Sequence, residues 1–144
     1  INRSWIEFCN NISLYTFQLS IKVSEDEFKD TLELMLNDFD LVENCLEDPP
    51  FFNGQQFSLV DSSYAPVFQR LDFLEQIYKR IITQERHPKL ATWKENLLSL
   101  KAVKHSAVED IQSLYYKLLW TRQGYISQYL SEEDYGKRPP KSTY

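Results

Sequence analysis

The sequence predicts an all-α protein, a helical bundle of about five to six helices. Apolar residues recur at alternating spacings of three and four along most of the chain, which is the period of an α-helix. Only 3 glycines and 6 prolines occur in 144 residues, and the aromatic share is high, as is typical of a globular helical protein. No run alternates with the period of two that a half-buried strand needs. This length suits one domain with a core of its own.

The first predicted helix covers residues 1–22 and is apolar on two sides. One stripe consists of Ile1, Trp5, Phe8, Ile12, Tyr15 and Leu19. The other consists of Leu14, Phe17 and Ile21. A helix that is apolar on two sides must be covered on two sides. We therefore expect one side to face the domain's own core and the other to be covered by another domain or another subunit.

The second helix is predicted to begin at Ser24, because Ser24 and Glu27 have the spacing of a capping box. Its apolar residues form a single stripe opposite a charged face. They are Phe28, Leu32, Met35, Phe39, Val42 and Leu46. We expect an amphipathic surface helix that stops before Pro49 and is followed by a turn at Gly54.

A second capping box, Ser58 and Asp61, opens the long apolar run of the third helix. The Asp61 carboxylate can accept from the Ser58 N–H while the Ser58 hydroxyl accepts from the Asp61 N–H. Phe57 precedes the box, but Ser62 stands where a hydrophobic staple needs an apolar residue, so the staple is doubtful. The apolar face is wide enough to place this helix centrally, and Pro66 inside it should bend it.

Two further helices are expected in the rest of the chain. Pro88 is well placed in a first turn, where a missing N–H costs nothing. Ser106 and Glu109 make a third capping box, which opens a helix that runs toward Tyr129, with Gly124 as a local break. We assign residues 1–130 to the helical domain. Residues 131–144 are a polar tail that we expect to be disordered or loosely laid on the surface.

The sequence contains no evident catalytic set and no metal-binding motif. His87 and His105 fall at helix boundaries without a recognisable partner spacing, and we expect surface or capping roles for both. Neither Cys-x-x-Cys nor His-Glu-x-x-His occurs, and no glycine-rich phosphate loop is present. Acidic residues lie mostly on charged helix faces, where solvation is the default explanation.

Charge and cysteine usage narrow the partners and the setting. A net charge of -5 offers no basic footprint for nucleic acid. No apolar stretch approaches the roughly 18 to 20 residues that cross a bilayer, so no membrane role is expected. Cys9 and Cys45 are far apart inside helical patterns, and we expect two reduced, buried thiols and a cytoplasmic setting.

One segment resembles a known family. Residues 51–66, FFNGQQFSLVDSSYAP, are similar to the loop and buried core helix of the C-terminal domain of cytosolic glutathione transferases. Residues 87–93, HPKLATW, look like the family's Pro-x-Leu-x-x-Trp segment, and residues 101–104, KAVK, like the turn that follows it. The resemblance covers roughly residues 1–130. Its pattern is most similar to omega-like and bacterial stringent-starvation-like members.

The resemblance implies a glutathione transferase C-terminal domain-like helical bundle that works beside a thioredoxin-like N-terminal domain of the same parent chain. That domain would bind glutathione and activate its thiol, so we assign no catalytic residue here and expect no activity from this chain alone. We accordingly interpret the chain, which begins where the helices begin, as a domain fragment. The family also implies a homodimer.

Within this family the helical domain supplies the wall of the electrophile pocket from its first helix and its C-terminal part. The candidate substrate-binding residues are therefore Trp5, Phe8, Ile12, Tyr115 and Trp120. Core packing is the alternative interpretation for each of them. Ser58 and Asp61 match the family's folding motif, so their role is structural capping.

Two classes of function stay open. In the first, the parent protein conjugates electrophiles with glutathione or transfers thiols, and this domain supplies the pocket wall and dimer contacts. In the second, the domain is a non-catalytic protein-interaction module, as similar domains are in translation elongation complexes, synthetase assemblies and stringent-starvation-type proteins. The residues upstream of Ile1 in the parent chain would discriminate between the two classes. A Cys-Pro or Ser-containing turn after a first strand supports the enzyme.

Overall fold

The computed structural model describes residues 2–47, 50–100 and 110–137, and this part of the chain is helical. The α-helices are α1 (Asn2–Ile21), α2 (Glu25–Cys45), α3 (Leu59–Ile77), α4 (Pro88–Ser99), α5 (Ile111–Arg122) and α6 (Glu132–Tyr135), and a 3-10 helix (Tyr125–Tyr129) precedes α6. The described ranges contain no strand, and one isolated β-bridge joins Phe51 to Gly54. The predicted all-α bundle is confirmed.

Helix α3 lies at the centre of the bundle, as its wide apolar face predicts. Its buried residues are Val60, Asp61, Tyr64, Ala65, Val67, Phe68, Leu71, Phe73 and Leu74. Helix α1 packs along α3, and the Tyr64 hydroxyl donates to the Trp5 carbonyl at 3.1 Å. Because each large apolar side chain that leaves water contributes about 1.5 to 3 kcal/mol, α3 organises the core.

Helix α2 is amphipathic and begins as predicted, with Ser24 as N-cap and its side chain accepting from the Glu27 N–H at 3.1 Å. The predicted stripe from Phe28 to Leu46 is buried. The expectation of two buried thiols is wrong for Cys45, which is exposed, whereas Cys9 is buried. Cys45 precedes Leu46 by one residue and is therefore rotated about 100° away from the buried stripe.

The predicted break at Gly124 is present and has a packing cause. Helix α5 ends at Arg122, and a Cβ on Gly124 would lie 2.8 Å from the Ser20 carbonyl oxygen and 3.1 Å from that of Lys22. The Tyr125 N–H donates to the Lys22 carbonyl at 2.6 Å. Glycine is therefore needed here because the chain passes directly over the end of α1.

Some predictions fall on residues that the structure does not describe. The third capping box, Ser106 and Glu109, lies outside the described ranges, and so does His105. The predicted tail is described as far as residue 137 and contains α6, whose Tyr135 ring lies 5.9 Å from the Trp120 ring. The domain boundary at residue 130 stays a prediction.

Candidate functional site

The fully buried Asp61 carboxylate joins three segments of the chain. Its Oδ2 accepts from the Ser58 N–H at 2.7 Å, as the capping-box spacing predicts, and from the Ser58 hydroxyl at 2.9 Å. Its Oδ1 accepts from the Phe52 N–H at 2.9 Å and from the Trp93 Nε1–H at 2.7 Å. A buried charge needs such donors. Because both oxygens are occupied, Asp61 serves folding and offers no free base.

The doubtful staple is replaced by another contact. Phe57 is 47% exposed, and its ring meets Phe51 edge-on at 5.6 Å. The loop before α3 is thus closed by ring packing between Phe51 and Phe57 and by the hydrogen bond from Phe52 to Asp61. This arrangement fixes the start of the central helix without a partner at Ser62.

A groove of about 490 Å³ lies between α1, α3 and α5. Most of its walls are apolar. The apolar lining residues include Phe17, Val67, Phe73, Leu114 and Leu118. Phe17, Leu114 and Leu118 remain 47%, 52% and 40% exposed, so the groove opens onto an apolar surface. Clefts of this size with mostly apolar walls are the usual binding sites for small molecules.

Three polar groups stand out in the groove. Arg122 donates from Nη1 to the Ser20 hydroxyl at 2.7 Å, and its guanidinium lies 4.8 Å from the centre of the Phe17 ring. Arg70 approaches the backbone, with its Nη1 3.5 Å from the Pro66 carbonyl oxygen. The Tyr115 hydroxyl is buried and has no hydrogen-bond partner among the described residues.

The electrostatics of Tyr115 reflect both burial and these two cations. Burial raises the pKa of Tyr115 to about 12, while the positive charges of Arg70 and Arg122 act in the opposite direction. The phenol is therefore neutral at physiological pH and can donate or accept a hydrogen bond. The phenol also interacts electrostatically with both guanidinium groups.

The structure places the five candidate substrate-binding residues in different parts of the fold. Trp5 and Phe8 meet edge-on at 5.4 Å, and Trp5 also lies 5.7 Å from the ring of Phe52. Ile12 is fully buried in the core. Tyr115 lines the groove, and Trp120 packs beside Tyr135 in a separate depression. The structure therefore does not bring the five together as one wall, and their role toward a substrate stays a prediction.

Phe17, Leu114 and Leu118 are lining residues that sequence reasoning did not select as substrate-binding. The sequence did indicate a contact at Phe17, because this residue belongs to the second apolar stripe of α1. That stripe was expected to be covered by another domain or another subunit. Arg70 and Arg122 gave no signal, because a single basic residue on a helix is normally solvated.

His87 lies in a charged cluster between α2 and α4. It occupies the N-cap position of α4, so the predicted helix boundary is found, but its ring is fully buried and a surface role is wrong. Its Nε2 lies 2.7 Å from Asp40 Oδ1. Arg86 donates to both Asp40 oxygens, at 3.0 and 2.9 Å, and to Glu33 at 3.1 Å. The cluster fastens the start of α4 to α2.

Within the described ranges, no group of three His, Cys, Asp or Glu side chains is placed to hold a metal ion. None of the helices that the structure describes has the length and apolarity needed to span a membrane. Besides its apolar surface, the groove offers two guanidinium groups, one phenol, and the polar side chains of Ser13, Thr16, Ser20 and Gln69.

Comparison with known proteins agrees with this architecture. Residues 25–95 match the family described as glutathione S-transferase, C-terminal domain. A relative from Glycine max, "Probable glutathione S-transferase", is 28% identical over 108 residues, which cover 67% of this chain and 44% of that protein. The chain thus spans less than half the length of this relative. No solved structure is significantly similar to this chain. These two matches support a glutathione S-transferase C-terminal helical domain.

Proposed function

We propose that this chain is the helical half of a glutathione transferase and that its groove forms one wall of the electrophile pocket. The open apolar groove between α1, α3 and α5, in a domain of this family, carries the proposal. A thioredoxin-like N-terminal domain of the same parent chain would hold glutathione and close the groove. Exposed apolar surface of this kind marks sites that another molecule covers.

The exposed side chains around the groove support this orientation. Leu14, Phe17 and Ile21 lie on one side of α1 and are 54%, 47% and 39% exposed. Leu114 and Leu118 extend the same surface across α5. The proposal retains Tyr115 from the predicted pocket and adds Phe17 and Leu118. It assigns Trp5, Phe8, Ile12 and Trp120 to packing.

The division of labour follows from what the groove lacks. Conjugation or thiol transfer needs a thiolate, and burial raises the pKa of the Cys9 thiol to about 11, so this cysteine is not ionised at neutral pH. Cys9 also does not line the groove. In the proposed enzyme, glutathione supplies the thiol and the other domain activates it. The walls described here bury and orient the apolar part of the electrophile.

The test compares groove and core variants of the parent protein. Phe17→Ala and Leu118→Ala should change the ratio of kcat/KM between a bulky and a small electrophile by about 1 to 3 kcal/mol. Phe8→Ala is the matched control, because its ring packs against Trp5 away from the groove. If all three variants lower stability and leave the ratio unchanged, the groove is not the pocket wall.

The chain alone should neither bind glutathione nor conjugate 1-chloro-2,4-dinitrobenzene, and the parent protein should do both. A parent protein that folds but has no transferase or thioltransferase activity would instead support the non-catalytic interaction module. The proposal also includes a homodimer and a cytoplasmic setting. Sedimentation equilibrium of the parent protein tests the dimer separately from the activity.

A further inference from the structure

A second pocket, of about 410 Å³, lies between α2 and the segment that joins α3 to α4. The described residues that line it include four basic side chains and one acidic side chain. They are Lys29, Lys79, Arg80, Arg86 and Glu33. None of the described residues that line this pocket also lines the groove between α1, α3 and α5. The pocket is therefore a separate site, which the proposed function does not use.

The basic lining of this pocket contrasts with the charge of the whole chain. The protein has 21 acidic and 16 basic residues and a net charge of -5. A negatively charged protein repels anions at long range, so a small anion needs a local concentration of cations in order to bind. Glu33 adds little repulsion, because its carboxylate accepts from Arg86 at 3.1 Å. The pocket is therefore suited to a ligand that carries negative charge.

Lys79 and Arg80 are the two cations most available to a ligand. Both are exposed, and neither makes an ion pair within the described part of the chain. Lys79 Nζ lies 5.3 Å from the centre of the Tyr78 ring. Lys29 pairs with Glu25 at 2.8 Å, but both side chains are 54% exposed, and a pair of this kind is weak. A ligand can therefore bind these cations without first breaking a strong ion pair.

The backbone that follows Arg80 is held in place before any ligand arrives. The Glu75 carboxylate accepts from the N–H groups of Ile81 and Ile82, at 2.8 and 3.2 Å. Further along the same segment, Arg86 donates to both oxygens of Asp40. A site that is already formed loses less entropy on binding than one that the ligand must order.

Part of the lining is apolar. Leu32 and Ile81 are buried, and Leu36 and Tyr78 are partly buried. Small-molecule sites commonly combine such surface with a few polar groups that fix the orientation of the ligand. Lys binds phosphate oxygens as a point charge, and Arg binds them through a fork of N–H donors. The pocket therefore suits a molecule that has an organic part beside phosphate groups.

We propose that this pocket binds small organic diphosphates. Lys79 and Arg80 bind the phosphate oxygens, Lys29 adds a third positive charge, and the organic part of the ligand lies against Leu32 and Leu36. One phosphate group carries about two negative charges, so two linked phosphates match the basic lining better than one. The inference goes beyond the proposed function and does not depend on it, because the two sites have no described lining residue in common.

The binding experiment is isothermal titration calorimetry of the 144-residue chain at low salt, without divalent cations. It compares ADP and geranyl diphosphate with pyrophosphate, which lacks an organic part, and with adenosine and geraniol, which lack the phosphates. At least one organic diphosphate should bind about tenfold more tightly than pyrophosphate and than its own phosphate-free counterpart. The tighter of the two identifies a nucleoside or an alkyl group as the organic part. If neither shows this advantage, the proposal is overturned.

Variants then locate the bound diphosphate. Lys79→Gln together with Arg80→Gln should weaken the tighter organic diphosphate by about tenfold or more. The matched control, Lys117→Gln together with Lys137→Gln, removes two exposed positive charges outside the pocket and should change the affinity by less than about twofold. Equal losses in the two double variants would show that binding follows the net charge of the chain, which would refute the proposal. If circular dichroism shows that the variant without both pocket cations is unfolded, Arg80→Gln alone decides by the same comparison.

Salt gives a second readout of the same site. Because Lys79 and Arg80 are exposed, the advantage of the organic diphosphate over its phosphate-free counterpart should shrink as salt is added. An advantage that does not change with salt would contradict binding by these cations. None of these measurements involves transferase activity, so the diphosphate proposal and the proposed function can fail separately.

Discussion

The indole Nε1 of Trp93 lies 2.7 Å from Oδ1 of Asp61, and both side chains are almost completely removed from solvent. This bond connects α4 to the start of α3 across 32 residues of sequence. The Phe52 N–H shares the same oxygen. One carboxylate therefore holds the loop before α3, the first turn of α3 and the middle of α4 in register.

We expect Asp61→Ala to lower the free energy of unfolding by about 3 to 5 kcal/mol, more than the roughly 1 kcal/mol of an ordinary N-terminal cap. The difference arises because Phe52 and Trp93 would each keep a buried donor without its acceptor, and Ser58 would keep a partly buried one. Asp61→Asn should cost less, since one amide oxygen still accepts. Urea denaturation of the chain measures both values.

Ser24→Ala is the control for Asp61, because Ser24 caps α2 through a single exposed hydrogen bond of 3.1 Å. It should lower stability by about 1 kcal/mol. Equal losses for Ser24→Ala and Asp61→Ala would show that the contacts of Asp61 with Phe52 and Trp93 contribute nothing measurable.

Gly124→Ala should destabilise the chain by about 1 to 3 kcal/mol, because the added methyl group would meet the carbonyl oxygens at the end of α1. Thermal unfolding monitored by circular dichroism measures the loss. Gln128 is exposed in the neighbouring 3-10 helix, and the stability of the Gln128→Ala variant should stay within about 0.5 kcal/mol of that of the unmutated chain. A stable Gly124→Ala variant would mean that the two segments can separate freely.

Tyr115→Phe and Tyr116→Phe form a matched pair. The Tyr116 hydroxyl donates to the Phe73 carbonyl at 2.7 Å, so its removal should cost about 1 kcal/mol. The Tyr115 hydroxyl is buried without a partner among the described residues, so its removal should be neutral or stabilising by up to about 1 kcal/mol. Denaturant midpoints decide, and the opposite order of stabilities would contradict this assignment.

Asp40 should make the stability of the chain depend on pH. Hydrogen bonding from Arg86 lowers the pKa of Asp40 below its unfolded value, which is about 3.9. The ionised Asp40 therefore stabilises the folded chain fully above about pH 4. This stabilisation is lost as the pH falls through the lower, folded-state pKa of Asp40. Asp40→Asn should cost about 1 kcal/mol at neutral pH, since the carboxylate is 43% exposed and partly screened by solvent.

The difference in the free energy of unfolding between the Asp40→Asn variant and the unmutated chain should shrink in acid. Urea titrations at neutral pH and well below about pH 4 measure this. Asp30→Asn, an exposed carboxylate of the same helix, should show little effect at either pH. A constant difference across the pH range would mean that the charge of Asp40 contributes nothing to its interaction with Arg86.

Local chemistry explains which parts of the fold could be predicted from the sequence. Ser24, Ser58 and Pro88 mark helix starts through contacts within one turn, and the structure places helix starts at each of them. The burial of the α2 stripe follows in the same way from helical period. The family resemblance added the class of domain, which local patterns alone could not supply.

Contacts across long stretches of sequence were not predictable. His87 contacts Asp40 although 47 positions separate them in the sequence, and no sequence motif predicts this contact. The groove likewise depends on how three helices pack, so Arg70, Tyr115 and Arg122 become a group only in three dimensions. The family resemblance pointed to Phe8 and Trp120 as well as to Tyr115, and the structure places the rings of Phe8 and Trp120 away from the groove.

The packing of α1 on α3 also affects the order in which the chain can fold. The Cys9 thiol meets the Ser63 carbonyl across 54 residues, and all of α2 lies between them. On the ribosome, α1 and α2 are complete before the residues that cover α1 have been made. Closing so long a loop costs entropy before it brings contacts. A nascent chain that stops after α2 therefore exposes the side of α1 that α3 later covers, and the bundle can close only when α3 has emerged.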